Sequence, residues 1–248
     1  MSYKFHVFET PVEVARAIAE RIQTEVKIKN KLSLPFNIAI SGGNTPRILF
    51  NLFVNEFLES IPWHLVRLFW VDERCVPPTH PESNFGMTFE SLLKFVSIPD
   101  DNIFRMQGEL DPQTEAIRYQ QLLENELPLE NGFPVFDMVL LGMGDDGHTA
   151  SIFPSDLTLI HSDLAVSVGV HPLTGQKRIT LTIPTLNRAK EVLFFITGSS
   201  KSEILKQIIN DNSEAIQKKL PASYVHSSTG MTEFYVDKTA AQDLQTTK

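Results

Sequence analysis

The sequence holds a single cysteine, Cys75, among 248 residues. No intrachain disulfide can form, and a zinc site built from cysteines is excluded. That usage is compatible with a reducing compartment. Long apolar runs are missing too: no stretch approaches the roughly 20 residues that a membrane span needs. The opening MSYKFHVFETPVEV lacks the basic segment and apolar core of a secretory signal, so the chain is expected in the cytoplasm and away from membranes. Positive charge is scarce. Lys and Arg number 22 against 30 Asp and Glu, for a formal net charge of -8. A field of that sign repels DNA and RNA at long range, so nucleic acid is not an expected partner. It repels small anions as well, and any phosphate site must gather its cations locally.

What is present is a globular composition, 42% hydrophobic and 21% charged. It can bury a sizeable core and argues against disorder. No low-complexity linker and no fixed-period repeat divides it, so residues 1–248 are expected to form one domain.

Residues 11–30 read as an amphipathic helix, with Val14, Ile18, Ile22 and Val26 on one face. Phe36 to Ile40, Val66 to Val71, Phe136 to Leu141 and Val192 to Thr197 are short apolar runs that read as buried strands. Helices are predicted at 46–58, with Thr45 as cap and Pro46 at the first position, and at 84–95, 111–126 and 200–210. Leu164 to Val168, an alternating segment around Ile179, Leu181 and Ile183, and a short run at 232–236 complete the strands. Buried strands alternating with helices predict an α/β fold: a mostly parallel sheet covered on both faces, plus a small antiparallel element near residue 180. Ligands of such sheets bind beyond the carboxyl ends of the strands.

Four strand-end segments carry chemistry. SGGNTP, Ser41 to Pro46, combines two glycines with a helix start, which suits close backbone approach to a phosphate. A tight turn without a ligand has the same composition. DERCVP places a carboxylate pair, Asp72 and Glu73, with the adjacent Arg74 at a strand tip, able to hold a sugar hydroxyl and a phosphate, or to form a solvated turn. LGMGDDGHTASIFP, Leu141 to Pro154, is the strongest local signal. Gly142, Gly144 and Gly147 surround Asp145, Asp146 and His148, and Thr149 can cap a short helix. Histidine exchanges protons near neutral pH, and a neighbouring carboxylate can orient it. No second histidine lies at metal-ligand spacing, so no metal is expected. Arg178 and Lys201 are isolated cations that could join Arg74 and the Gly42-Gly43 turn in a local cationic pocket. His6, His64, His80, His161, His171 and His226 are expected to be structural or surface residues.

Read together, SGGNTP, VDERCVP with SNFGM, GMGDDGHTASIFP, KRITLTIPTLNRAKEVLFFITGSSK and LPAS resemble, in order and spacing, the 6-phosphogluconolactonases. The resemblance runs from about residue 10 to 236. It implies a Rossmann-like parallel sheet with helices on both faces. It also implies hydrolysis of 6-phospho-D-glucono-1,5-lactone to 6-phospho-D-gluconate in the oxidative pentose phosphate pathway, without metal or organic cofactor. The family's phosphate-binding positions fall on Ser41, Gly42, Gly43, Arg74, Arg178 and Lys201, and its catalytic histidine on His148, beside Asp146. Thr45, Asp72, Asn84, Gly142 and Gly144 complete the expected substrate-contacting set. This chain has Asn44 where many relatives have serine and Asp145 where proline is common. A monomer is expected, with an oligomer left open.

The expected chemistry has neutral His148 taking a proton from the water that attacks the lactone carbonyl, then returning it to the ring oxygen. Asp146 would orient the imidazole or only shape the loop, and N–H groups of the Gly142–Gly147 loop would face the oxyanion. One alternative is a sugar-phosphate isomerase or deaminase with Asp72 as base. Deaminases resemble one another in an aromatic residue after the DE pair and an Asn-Glu-Pro run after the DGH loop. Here Arg74 and Ser151-Ile152-Phe153-Pro154 stand there. The other alternative, a non-catalytic sugar-phosphate sensor, is expected to carry a DNA-binding segment, for which no N-terminal stretch is spare.

Overall fold

The computed structural model describes residues 3–210, 219–228 and 230–244. Its elements, in chain order, are β1 (Lys4–Phe8), α1 (Pro11–Lys31), β2 (Phe36–Ile40), α2 (Asn44–Leu52), β3 (Val66–Trp70), β4 (Asp72–Arg74), α3 (Asn84–Thr88) and β5 (Ile103–Phe104). Then come α4 (Pro112–Glu126), β6 (Leu129–Glu130), β7 (Phe133–Pro134), β8 (Met138–Leu141), β9 (Val166–Val170), β10 (Lys177–Leu181), α5 (Ile183–Asn187), β11 (Glu191–Ile196), α6 (Ser202–Asn210) and β12 (Met231–Asp237).

The main sheet has seven strands in the order β1-β12-β11-β8-β2-β3-β5, and every pairing in it is parallel. Side chains alternate across it, as the two-residue period of a strand requires. Met138 and Leu140 of β8 join Ile38, Ile40, Leu193 and Phe195 beneath α1 and α2, whereas Val139 and Leu141 join Phe194, Phe69 and Phe136 on the α4 side. Both faces are apolar because both are covered, which explains the unbroken hydrophobic runs. A second sheet, β4-β10-β9, is antiparallel.

Local signals account for the helix ends. Thr10 caps α1 through a reciprocal bond pair with Glu13, and Pro11 fills the first helical position. Val14, Ile18, Ile22 and Val26 are all buried. Asp111 caps α4 by accepting the Thr114 N–H at 3.0 Å. The helix predicted at 46–58 starts two residues earlier, and α2 passes after Leu52 into a π-helical turn, Phe53–Phe57. Thr45 is not its cap. Gly43 holds that position with φ +103°, a conformation glycine adopts without strain, and no side chain among the described residues caps the helix. The Thr45 hydroxyl instead lies 3.3 Å from that of Thr197, tying α2 to the end of β11.

At the amino end of the sheet, Asp137 just before β8 is buried among positive and amide groups. It accepts Lys29 Nζ at 2.7 Å, Lys190 Nζ at 2.8 Å and the Asn37 N–H at 3.0 Å. Burial works against its charge, but these bonds outweigh it and hold its carboxyl below the ordinary value. No helix among the described residues is long and apolar enough to cross a membrane.

Candidate active site

The chain turns back on itself between β2 and β8: β3 and β5 lie to one side of β2, and β8, β11 and β12 to the other. A cavity of about 240 Å³ opens there, at the carboxyl ends of the strands. Its wall includes Ser41 after β2, Asp72 after β3, Gly142 after β8 and Thr197 after β11. It suits a small ligand and not a dinucleotide.

The floor is set by Ser41 and Gly42. Ser41 Oγ donates to the Leu140 carbonyl at 3.0 Å and accepts the Gly142 N–H at 3.3 Å, joining the tips of β2 and β8. A Cβ on Gly42 would lie 1.8 Å from Asn84 Oδ1, so glycine is required by packing. Asn84 is only 1% exposed. Its amide donates to the Asp72 carbonyl at 2.9 Å and to Asp72 Oδ1 at 3.2 Å, while its Oδ1 has no hydrogen-bond partner among the described residues. That oxygen is buried against Gly42. Asp72 Oδ2 accepts Ser151 Oγ at 2.7 Å.

Above this floor the antiparallel register of β4 and β10 sets Arg74 directly opposite Arg178. Like charges facing each other across strands repel. Burial first, and then the Arg74 charge, pull the Arg178 pKa down. Neither guanidinium forms an ion pair with a carboxylate among the described residues. Arg74 donates to the Glu82 carbonyl at 2.7 Å and Arg178 Nε to Gln176 Oε1 at 3.3 Å, both neutral acceptors. The Arg178 guanidinium also lies over the Phe153 ring, 5.6 Å from its centroid. Two unneutralised guanidinium groups on one cavity wall suit an anion.

The opposite wall is the loop after β8. His148 Nδ1 lies 2.5 Å from Asp146 Oδ1. A carboxylate only accepts, so Nδ1 carries a proton, and in the neutral ring Nε2 keeps its lone pair. Burial opposes the Asp146 charge, but the bond to His148 prevails and holds the carboxyl down to about 2. Gly144 makes room for the pair: a Cβ there would sit 2.1 Å from His148 Nδ1. Gly147 takes φ +80°, and its carbonyl accepts the Ala222 N–H at 3.0 Å, so the LPAS segment braces the loop from behind. The imidazole is 28% exposed and faces the cavity.

Of the residues predicted from sequence, Ser41, Gly42, Gly43, Thr45, Asp72, Arg74, Asn84, Gly142, Gly144, His148, Arg178 and Lys201 all line this one cavity. Asp146 stands outside the wall and reaches it through His148. Several details differ from expectation. Lys201 is not a free cation, because Asp145 pairs with it, and that bond holds the Asp145 carboxyl below its ordinary value. Thr149 caps no helix; its hydroxyl donates to the Gly142 carbonyl at 2.8 Å and closes the loop. Of the Gly142–Gly147 N–H groups expected to face an oxyanion, the three glycine ones are occupied. Gly142 donates to Ser41 Oγ, Gly144 to the His148 carbonyl and Gly147 to the Gly144 carbonyl. His171, expected to be a structural or surface residue, packs edge-to-face on Phe153, 5.2 Å between centroids, and Phe153 in turn tilts against His148 at 4.9 Å. Burial and then Arg178 lower the His171 pKa.

Sequence reasoning missed Phe153, the buried ring that His148, His171 and Arg178 share, although it sits inside the motif. Glu73, read from sequence as half of a carboxylate pair at a strand tip, is buried and does not line the cavity. That buried carboxylate accepts the N–H groups of Arg74, Asn84 and Phe85 and the Ser83 hydroxyl, fixing the segment that carries Asn84. Burial raises its pKa, and these bonds partly offset the rise. Among the described residues no cluster of three or more His, Cys, Asp or Glu could hold a metal ion.

Comparison with known proteins places this arrangement among others. A family model described as glucosamine-6-phosphate isomerases/6-phosphogluconolactonase matches residues 9–234. A 6-phosphogluconolactonase of Treponema pallidum is 41% identical over 208 residues, covering 84% of this chain and 85% of the relative. One from Haemophilus influenzae is 39% identical over 229 residues, covering 92% of this chain and 96% of the relative. A solved 6-phosphogluconolactonase structure from Trypanosoma brucei superposes with a TM-score of 0.86 at 31% identity, covering 98% of this chain and 99% of the other.

Proposed function

The chain belongs to the glucosamine-6-phosphate isomerase/6-phosphogluconolactonase family, and within it we propose that it hydrolyses 6-phospho-D-glucono-1,5-lactone to 6-phospho-D-gluconate, a step of the oxidative pentose phosphate pathway. The observation that carries this reading is the placement of the His148–Asp146 pair and the Arg74–Arg178 pair around one small cavity.

The arginines bind the phosphate, and the uncapped N–H groups at the start of α2, beyond Gly43, add donors and the positive end of the helix dipole. Anchoring the phosphate fixes the lactone carbonyl near His148 and supplies binding energy remote from the reacting carbon. With Nδ1–H committed to Asp146, Nε2 removes a proton from water as the oxygen attacks C1. The imidazolium, steadied by the Asp146 carboxylate, then protonates the departing ring oxygen and the ring opens. The lactone is electrophilic enough that no covalent nucleophile is needed.

Isomerase or deaminase chemistry would need a mobile carboxylate base over C2. Asp72 is instead held on both oxygens, by Ser151 and Asn84. The decisive assay uses freshly prepared 6-phosphogluconolactone, followed against its spontaneous opening. Acceleration that is lost in His148→Ala supports the reading. Ammonia release from glucosamine 6-phosphate, without lactone hydrolysis, would overturn it.

A further inference from the structure

Two residues beside the arginine pair have no place in the chemistry above, yet they join its two halves. Gln176 immediately precedes β10, and Glu82 lies in the segment leading into α3. Gln176 Oε1 accepts Arg178 Nε at 3.3 Å, and Gln176 Nε2 donates to Glu82 Oε2 at 2.9 Å. The Glu82 main-chain carbonyl accepts the Arg74 guanidinium at 2.7 Å. With Arg74 and Arg178 opposite each other in the strand register, the four residues form a closed ring.

We propose that Gln176 and Glu82 are positioning residues that hold the two guanidinium groups together for a phosphate monoester without an ion pair to either. The inference rests on the phosphate role given above to Arg74 and Arg178.

The residue types fit that task. Facing guanidinium groups repel, and long exposed side chains swing apart unless something holds them. A carboxylate on each would hold them but would offset the charge a phosphate needs, as Asp145 does for Lys201. Here each arginine is held by a neutral acceptor, an amide oxygen or a main-chain carbonyl. An amide at position 176 meets both demands of this ring. It offers an acceptor to the guanidinium and a donor to the carboxylate. A carboxylate there would face Glu82, and a cation would face Arg178. The amide orientation is fixed for the same reason: reversed, it would set NH₂ against Nε–H and oxygen against oxygen.

The test measures affinity for inorganic phosphate by calorimetry, together with the ratio of kcat/KM for 6-phosphogluconolactone over unphosphorylated glucono-1,5-lactone. Gln176→Ala and the isosteric Gln176→Glu are each expected to weaken phosphate binding and to lower that ratio by about tenfold, the size of one hydrogen bond to a charged group. The change should fall on KM and not on kcat. Glu82→Gln keeps an acceptor oxygen and is expected to lose less than Glu82→Ala. A merely structural role would spare the isosteric Gln176→Glu. Unchanged phosphate affinity in both Gln176 variants, or no phosphate binding by the wild type, overturns the proposal. If the wild type binds phosphate in a Gln176-dependent way but hydrolyses neither lactone, the ring stands and the proposed reaction falls.

Discussion

Replacing Asp146 with asparagine keeps the loop's shape while removing the charge behind His148. The amide can donate to Nδ1 and so favours the wrong tautomer, and it cannot balance an imidazolium. The magnitude follows from the pair itself. A carboxyl held at about 2 against an ordinary 3.8 corresponds to ~2.5 kcal/mol of mutual preference for the charged pair. Asp146 is 47% exposed, and solvent screening reduces this to about 1–1.5 kcal/mol. That is roughly a five- to tenfold loss of kcat, with KM little changed because the phosphate contacts lie on the other wall. The assay is proton release from fresh 6-phosphogluconolactone in weak buffer, corrected for spontaneous opening. The same carboxyl has its folded-state pKa depressed. Its contribution to stability is therefore present above 3.8 and lost as pH falls towards about 2. Denaturant unfolding should thus show the wild type and Asp146→Asn converging over that acid range. A variant with unchanged kcat, or one as inactive as His148→Ala, would refute the argument that Asp146 acts by orienting and balancing the imidazole.

Three further outcomes follow from geometry. Arg178→Ala should raise KM for the phosphorylated lactone roughly ten- to hundredfold, the worth of a charge-assisted bond, and steady-state kinetics checks it; an equal effect on unphosphorylated lactone would contradict the assignment. Gly42→Ala should drive a methyl group into Asn84 and cost ~1–3 kcal/mol of stability. A double-mutant cycle with Asn84→Ala should show that much of the cost is shared between the two sites. Cys75, whose thiol is pushed up to about 11 by burial and then Glu73, should alkylate slowly in the native protein at neutral pH and quickly once unfolded. Mass spectrometry reads both states.

The sequence was most legible where one local pattern decides the outcome. The run from Phe36 to Ile40 became β2 with unchanged bounds, and the four spaced apolar residues of α1 are all buried. At α2 two local signals competed: Thr-Pro is a good cap and first position, but the Gly43 turn starts the helix earlier and leaves it open. β1 escaped notice because its partner, β12, lies at the far end of the chain. The cavity residues were found from strand-end motifs and, for Asn84, from the family resemblance, but the relations among them were not. Arg74 and Arg178 face each other only through the register of β4 and β10. Lys201 and Asp145 looked like separate charges until the fold paired them. His171 comes near through Phe153, a contact that no spacing in the sequence announces.

The Asp137 knot gives the protein two unlike rims. Where β2, β8 and β11 begin, Lys29, Lys190 and Asn37 satisfy one buried carboxylate. Where those strands finish, Arg74 and Arg178 face each other with no carboxylate ion pair among the described residues. Damage at the first rim should appear as poor yield of folded protein with normal turnover per active molecule. Damage at the second should leave well-folded protein that has lost its appetite for substrate, so that expression level and specific activity can be altered independently.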